Sequence, residues 1–141
     1  MLSLGDVVAA DLPAFTALLA QLGYPTEAQA LPGRIERIRA GGGRVVVARE
    51  GDEVLGLVAL AFIPLVHHEQ PLARISALVV AEAARGRGVG RRLVAEAERI
   101  ARDAGCTRIE VTSADHRAAA HAFYHALGYT EKRKRFLKSL T

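Results

Sequence analysis

The sequence predicts an α/β domain of the α+β type, with one mixed sheet of six or seven strands flanked by about four helices. Three observations predict it. Residues 73–113 read as strand, helix, strand, the order of a right-handed crossover between two parallel strands. Arg44–Ile63 reads as a hairpin of two apolar strands, which adds antiparallel members. Helices are read at Asp11–Leu22, Glu27–Ala40 and His116–Leu127, beside the one inside the crossover.

The elements follow in chain order. In the first helix Leu12, Phe15, Leu18, Leu19 and Leu22 share a face, Asp11 stands ready to cap the start, and Gly23 to end it. Pro25 keeps the next residues out of helix, and Pro32-Gly33 weakens the middle of the second helix, Glu27–Ala40. Gly41 to Gly43 form a turn, and strands Arg44–Arg49 and Glu53–Ile63 are joined by Gly51-Asp52. The strand Ala73–Val80 ends in an unbroken Ala-Leu-Val-Val run, which fits burial on both faces. The clearest helix is Val89–Ala104, with Val89, Leu93, Ala97, Ile100, Ala101 and Ala104 as its stripe and Gly105 as its stop. A strand Thr107–Ser113 and a helix ending at Gly128 come next. A short strand pair, Tyr129–Glu131 and Arg135–Leu140, is expected to close the sheet.

Composition bounds the function. With 141 residues, one domain over residues 1–141 is expected. A chain that is 50% hydrophobic and 24% charged is globular rather than disordered. Its longest apolar run, Val54 to Val66, is broken by Gly56 and Pro64 and falls short of the roughly 20 residues a membrane span needs. The opening MLSLGDVV lacks the basic stretch of a secretory signal. The single cysteine, Cys106, forms no internal disulfide and reads as a buried small hydrophobe, so a reducing cytoplasm is expected.

The net charge of +4 comes from two basic clusters. Lys132, Arg133, Lys134, Arg135 and Lys138 read most simply as a solvated strand edge. Nucleic-acid surfaces interleave aromatics with such charge; here aromatics are 5% and Trp is absent, so no nucleic-acid partner is expected. The second cluster, Arg85, Arg87, Arg91 and Arg92, surrounds Gly86, Gly88 and Gly90 between a buried strand and a helix start. Unpaired helix N–H groups, the positive end of the helix dipole and close backbone approach at glycine make that place suited to phosphate. A Walker loop fails, because Gly90 is followed by Arg91-Arg92 rather than Lys-Ser/Thr. The dinucleotide fingerprint fails on its glycine spacing. A glycine turn that merely packs helix on strand would not call for four arginines.

Arg85-Gly86-Arg87-Gly88-Val89-Gly90 resembles the Gln/Arg-x-x-Gly-x-Gly/Ala signature of the GNAT family of N-acetyltransferases. The preceding Leu78-Val79-Val80 and the downstream Ala122-Phe123-Tyr124-His125-Ala126-Leu127-Gly128-Tyr129 are similar to that family in order and spacing. The resemblance implies acetyl-coenzyme A as donor, lying where two central parallel strands part. It implies donor contacts from Leu78, Val79 and Val80 and from the turn Arg85, Gly86, Arg87, Gly88, Val89, Gly90 and Arg91. The Leu78 amide would polarise the thioester. Ser113, Arg117 and Tyr124 would also touch the donor; at Arg117 the chain departs from the Asn that many relatives carry. Tyr124 would protonate the departing thiolate, chemistry open to a phenol that stays protonated at neutral pH.

The resemblance does not supply the base that deprotonates the amine. Glu69 is the first choice, beside His67, His68, Glu110 or a water chain. The acceptor pocket is expected from the first two helices, with Tyr24, and from the loop carrying His67, His68 and Glu69. The three loop residues read most simply as solvated, and no metal site is expected. The ending Arg135-Phe136-Leu137-Lys138-Ser139-Leu140 is similar to that of aminoalkylphosphonate acetyltransferases, a small-molecule subgroup, though many relatives share it. A small-molecule primary amine is therefore the expected acceptor, with a protein amine or a non-catalytic sensor of acetyl-coenzyme A as rivals. Homodimers are common among similar proteins; nothing in the sequence itself shows one.

Overall fold

The computed structural model describes residues 1–112, 118–132 and 135–141. The elements are β1 (Leu2–Asp6), α1 (Leu12–Leu22), α2 (Leu31–Ala40), β2 (Arg44–Glu50), β3 (Glu53–Ile63), β4 (Leu72–Val80), α3 (Val89–Asp103), β5 (Ile109–Val111) and α4 (Ala118–Ala126). Single 3-10 turns precede α1, α2 and α3. The sheet has the order β1-β2-β3-β4-β5, antiparallel except for the parallel β4–β5 pair.

Strand alternation builds two cores. Val46, Ala48, Val58, Leu60, Ala73 and Ile75 face α3, whose Val89, Leu93, Val94, Ala97, Ile100 and Ala101 are buried against them. Val45, Val47, Leu57, Ala59 and Val79 face the other way, onto Phe15 and Leu18 of α1 and Leu31 and Ile35 of α2. The sheet is thus covered on both sides, which explains its near-continuous apolar strands. No helix among the described residues is long and apolar enough to cross a membrane.

Among the described residues five strands stand where six or seven were expected. β1 lies outside the sequence expectation: five residues with Gly5 inside carry little strand signal of their own. Tertiary pairing makes it, Leu2 to Asp6 lying opposite Glu50 to Val46. The expected C-terminal pair is corrected: Tyr129–Glu131 and Arg135–Leu140 are not strands. Phe136 (93% exposed), Leu137 (82%) and Leu140 (92%) instead lie open to solvent.

Local signals explain the helix ends. Gly23 adopts a left-handed φ of 106° and closes α1, with its N–H on Ala20 O and that of Tyr24 on Leu19 O. Pro32 does not break α2; it sits in the first turn, where a missing N–H costs nothing. Asp11 does not cap α1 through its side chain. Its buried carboxylate instead accepts the Val8 N–H at 2.8 Å and a forked pair of bonds from Arg49. Burial opposes that charge, yet Arg49 and the Val8 amide outweigh it and hold the carboxyl below its usual range.

Candidate functional site

β4 carries the irregularity on which the site depends. Ala59 lies opposite Ala77, but the next residue of β3, Leu60, lies opposite Ile75, so Ser76 is one residue too many for the ladder. The extra residue shifts the alternation. Ala73 and Ile75 face the α3 core before it, and Leu78 and Val80 take that face after it. Ala77 and Val79 turn to the α1–α2 side.

β5 accompanies β4 only at Ala73, Arg74 and Ile75, opposite Ile109, Glu110 and Val111. Among the described residues no strand is paired with that side of β4 from Ser76 to Val80. Leu78, Val79 and Val80, where the resemblance implies contacts to the donor, lie in this stretch.

Beyond β4, the turn Arg85 to Gly88 delivers the chain into α3. Gly86 and Gly88 have φ of 80° and 78°, the left-handed region, and a Cβ on either would meet nothing within 4 Å. No side chain caps α3, and no acidic residue stands in its first turn. The amides of Val89, Gly90 and Arg91 therefore lack an intrahelical acceptor. Two arginines, Arg91 and Arg92, stand beside them, although cations are disfavoured at a helix N-terminus. An anion relieves that arrangement, and the residues present fit a phosphate group.

The arginines are unequally engaged. Arg87 Nη2 lies 2.6 Å from Glu50 Oε2, and Arg92 Nη1 donates to Leu2 O at 3.2 Å. Arg85 and Arg91 have no partner among the described residues. The exposed Arg87–Glu50 pair is worth under about 1 kcal/mol, little enough for a phosphate to displace.

α4 closes the third side. A Cβ on Gly90 would lie 3.3 Å from Phe123 Cζ and 3.5 Å from Val80 Cγ2, so the end of β4, the start of α3 and α4 meet at this glycine. Tyr124 follows Phe123 and stacks edge-on with it and with Tyr129, at centroid distances of 5.2 and 5.9 Å. The hydroxyl of Tyr129 is committed to Glu98 at 2.8 Å, whereas that of Tyr124 has no partner among the described residues. Burial pushes the Tyr124 phenol above its ordinary value, so it holds its proton at neutral pH. Ser113 and Arg117 lie outside the described residues.

The expected acceptor residues are not brought together. Tyr24, 68% exposed, follows the top of α1 at the Val80 end of β4. His67, His68 and Glu69 lie in the loop before β4, at its other end. His68 and Glu69 there border a concavity of about 330 Å³ with Gly41, Phe62, Pro64, Leu65 and Pro71. At about 3.3 Å per residue, Leu72 alone is some 20 Å of strand from Leu78, too far for Glu69 to take a proton directly from an amine held there. Glu110 accepts Arg74 Nε and Nη2 at 2.8 and 2.6 Å, which occupies a second candidate base. No group of three or more His, Cys, Asp or Glu able to hold a metal occurs among the described residues.

Two residues that the sequence analysis passes over also touch this site. Glu50 holds Arg87, and Gln21 of α1 bonds to Val80 and Glu82. Their only signal in the sequence is negative: Gln21 is a lone amide in the apolar last turn of its helix.

Comparison with known proteins agrees with this geometry. The chain is 36% identical over 94 residues to the aminoalkylphosphonate N-acetyltransferase of Salmonella typhimurium (strain LT2). That match takes in 67% of this chain and 61% of the relative, so the chain spans about three-fifths of the curated relative it matches. Among solved structures, a transcriptional regulator from Bacillus halodurans C-125 superposes with a TM-score of 0.87 at 23% identity, covering 99% of this chain and 100% of that one. An acetyltransferase from Trypanosoma brucei gives 0.84, also at 23%, covering 99% and 100%. These two likenesses establish the fold. The model of the acetyltransferase (GNAT) family matches residues 10–129, taking in β4, the arginine-glycine turn and α4 together, and the chain belongs to that family.

Proposed function

We propose that the protein transfers the acetyl group of acetyl-coenzyme A directly to a primary amine of a small molecule, within a ternary complex. The observation that carries the reading is the meeting of three elements at Gly90: the end of β4, the basic start of α3, and α4 with Tyr124. The match to a relative named for acetylating aminoalkylphosphonates supports a small amine as acceptor.

The turn from Arg85 to Arg91 holds the pyrophosphate through its backbone amides, with Arg85 and Arg91 supplying charge. Backbone groups of Leu78 and Val80 pair with the pantetheine arm, and the Leu78 amide polarises the thioester carbonyl. The amine nitrogen attacks that carbon, the C–S bond breaks, and Tyr124 gives its proton to the leaving thiolate. The amine's own proton leaves through water. Tyr24 borders the acceptor's entrance. No acyl-enzyme is involved: burial raises the Cys106 thiol above its ordinary value, which disfavours the nucleophilic thiolate.

A thermal melt with acetyl-coenzyme A, beside ATP, NAD and ligand-free samples, tests the donor. At 100 times its Kd a ligand adds about 2.7 kcal/mol, which raises the midpoint of a chain this long by about 8 °C. A rise with acetyl-coenzyme A alone supports the proposal. No rise at millimolar ligand refutes it.

A further inference from the structure

We propose that Gln21 is a positioning residue for the donor, holding the exit of β4 in the shape onto which the donor's amide-bearing arm docks. The inference rests on the acetyl-coenzyme A reading above.

Gln21 stands in the last turn of α1, between Leu18 in the core and the left-handed stop at Gly23. Its Nε2 donates to the Val80 carbonyl at 2.7 Å, and its Oε1 accepts the Glu82 N–H at 3.2 Å. Both ends of the carboxamide are therefore used, on backbone groups 59 and 61 positions away. Only one orientation satisfies the pair. Turning the amide over would set oxygen against the Val80 oxygen and NH2 against the Glu82 N–H.

The place of these bonds is what gives them a function. Among the described residues β5 pairs with β4 no further than Ile75, and pairing with β3 ends where the Ala81 N–H reaches Leu55 O at 2.8 Å. No strand among the described residues holds the Val80 carbonyl; a side chain of α1 does. The same side chain holds the first amide of the segment that leads into the arginine-glycine turn. Gln21 thus fixes the joint between the part of the site that takes the arm and the part that takes the phosphates. The Val80 carbonyl has a second lone pair, so it can accept from the arm while Gln21 keeps its direction.

The test compares Gln21→Leu, which keeps bulk and loses both bonds, with Gln21→Glu, which loses only the donated one. Calorimetry measures acetyl-coenzyme A and adenosine 3′,5′-bisphosphate, the nucleotide half without the arm. Both variants are expected to weaken acetyl-coenzyme A about fivefold to tenfold, the scale of one hydrogen bond. The bisphosphate is expected to stay within about twofold. Unchanged acetyl-coenzyme A affinity in both variants overturns the proposal. So does an equal loss for both ligands, which is what general support of the turn would give. If the unsubstituted chain binds the bisphosphate but not acetyl-coenzyme A, the donor reading falls as well as the role of Gln21.

Discussion

Tyr124→Phe separates chemistry from binding because of where its hydroxyl sits. The ring is packed between Phe123 and Tyr129, and the phenol oxygen has no partner among the described residues. Removing that oxygen therefore leaves no buried group unsatisfied, and the substitution is expected to change stability by no more than about 0.5 kcal/mol. Donor affinity should be equally untouched, since a phenyl ring packs as a phenol does. Turnover should fall about 100-fold or more, the usual scale for losing a general acid. The assay is free-thiol release with a panel of primary amines, beside the Kd for acetyl-coenzyme A and a ligand-free melt. Tyr129→Phe is the control: its hydroxyl donates to Glu98, so its loss should cost about 1 kcal/mol of stability and spare turnover. The pH profile carries a further sign. The acid works protonated, so its contribution is complete below its pKa and fades as pH rises through a value that burial places above the ordinary 10.0. Equal turnover in wild type and Tyr124→Phe, at matched stability, refutes the acid role.

Two further predictions concern charge. Gly88→Glu places a carboxylate on a left-handed residue at the start of α3, beside amides expected to hold phosphate, and should abolish donor binding measured by calorimetry. An affinity equal to wild type would put the cradle elsewhere. Asp11→Asn removes the charge that Arg49 holds. Because the folded carboxyl titrates below its ordinary 3.8, its contribution is complete above that value and is lost as pH falls through the folded one. Melts should thus show the variant less stable than wild type at pH 7, with the gap narrowing in stronger acid. A gap that stays constant would assign the effect to shape rather than charge.

The backbone frame of the candidate site was legible because its signals are local. Glycine at Gly86 and Gly88 marks left-handed backbone, and the buried run before it and the apolar stripe after it identify strand and helix by their periods. What escaped depends on partners distant in sequence. β1 exists because β2 lends it an edge, and Gln21 matters because folding brings it to Val80. The distance between Tyr24 and Glu69 depends on distant partners too: Gln21 brings the end of α1 to Val80, whereas Glu69 precedes β4 at Leu72. The Tyr129–Leu140 strand pair failed because apolar residues within a segment do not say whether the fold buries them, and Phe136, Leu137 and Leu140 stay exposed.

The extra residue at Ser76 gives β4 a parity. Before it, odd-numbered residues point toward α3; after it, even-numbered ones do. Loss of Ser76 alone would restore an unbroken alternation in which Ile75, Leu78 and Val80 keep the face toward α3 and Ala77 and Val79 keep the other. The two cores therefore do not require the extra residue. What it supplies is a step in the ladder just ahead of Leu78, so a chain shortened by that one residue is expected to keep its core packing and to change only the backbone at the end of β4.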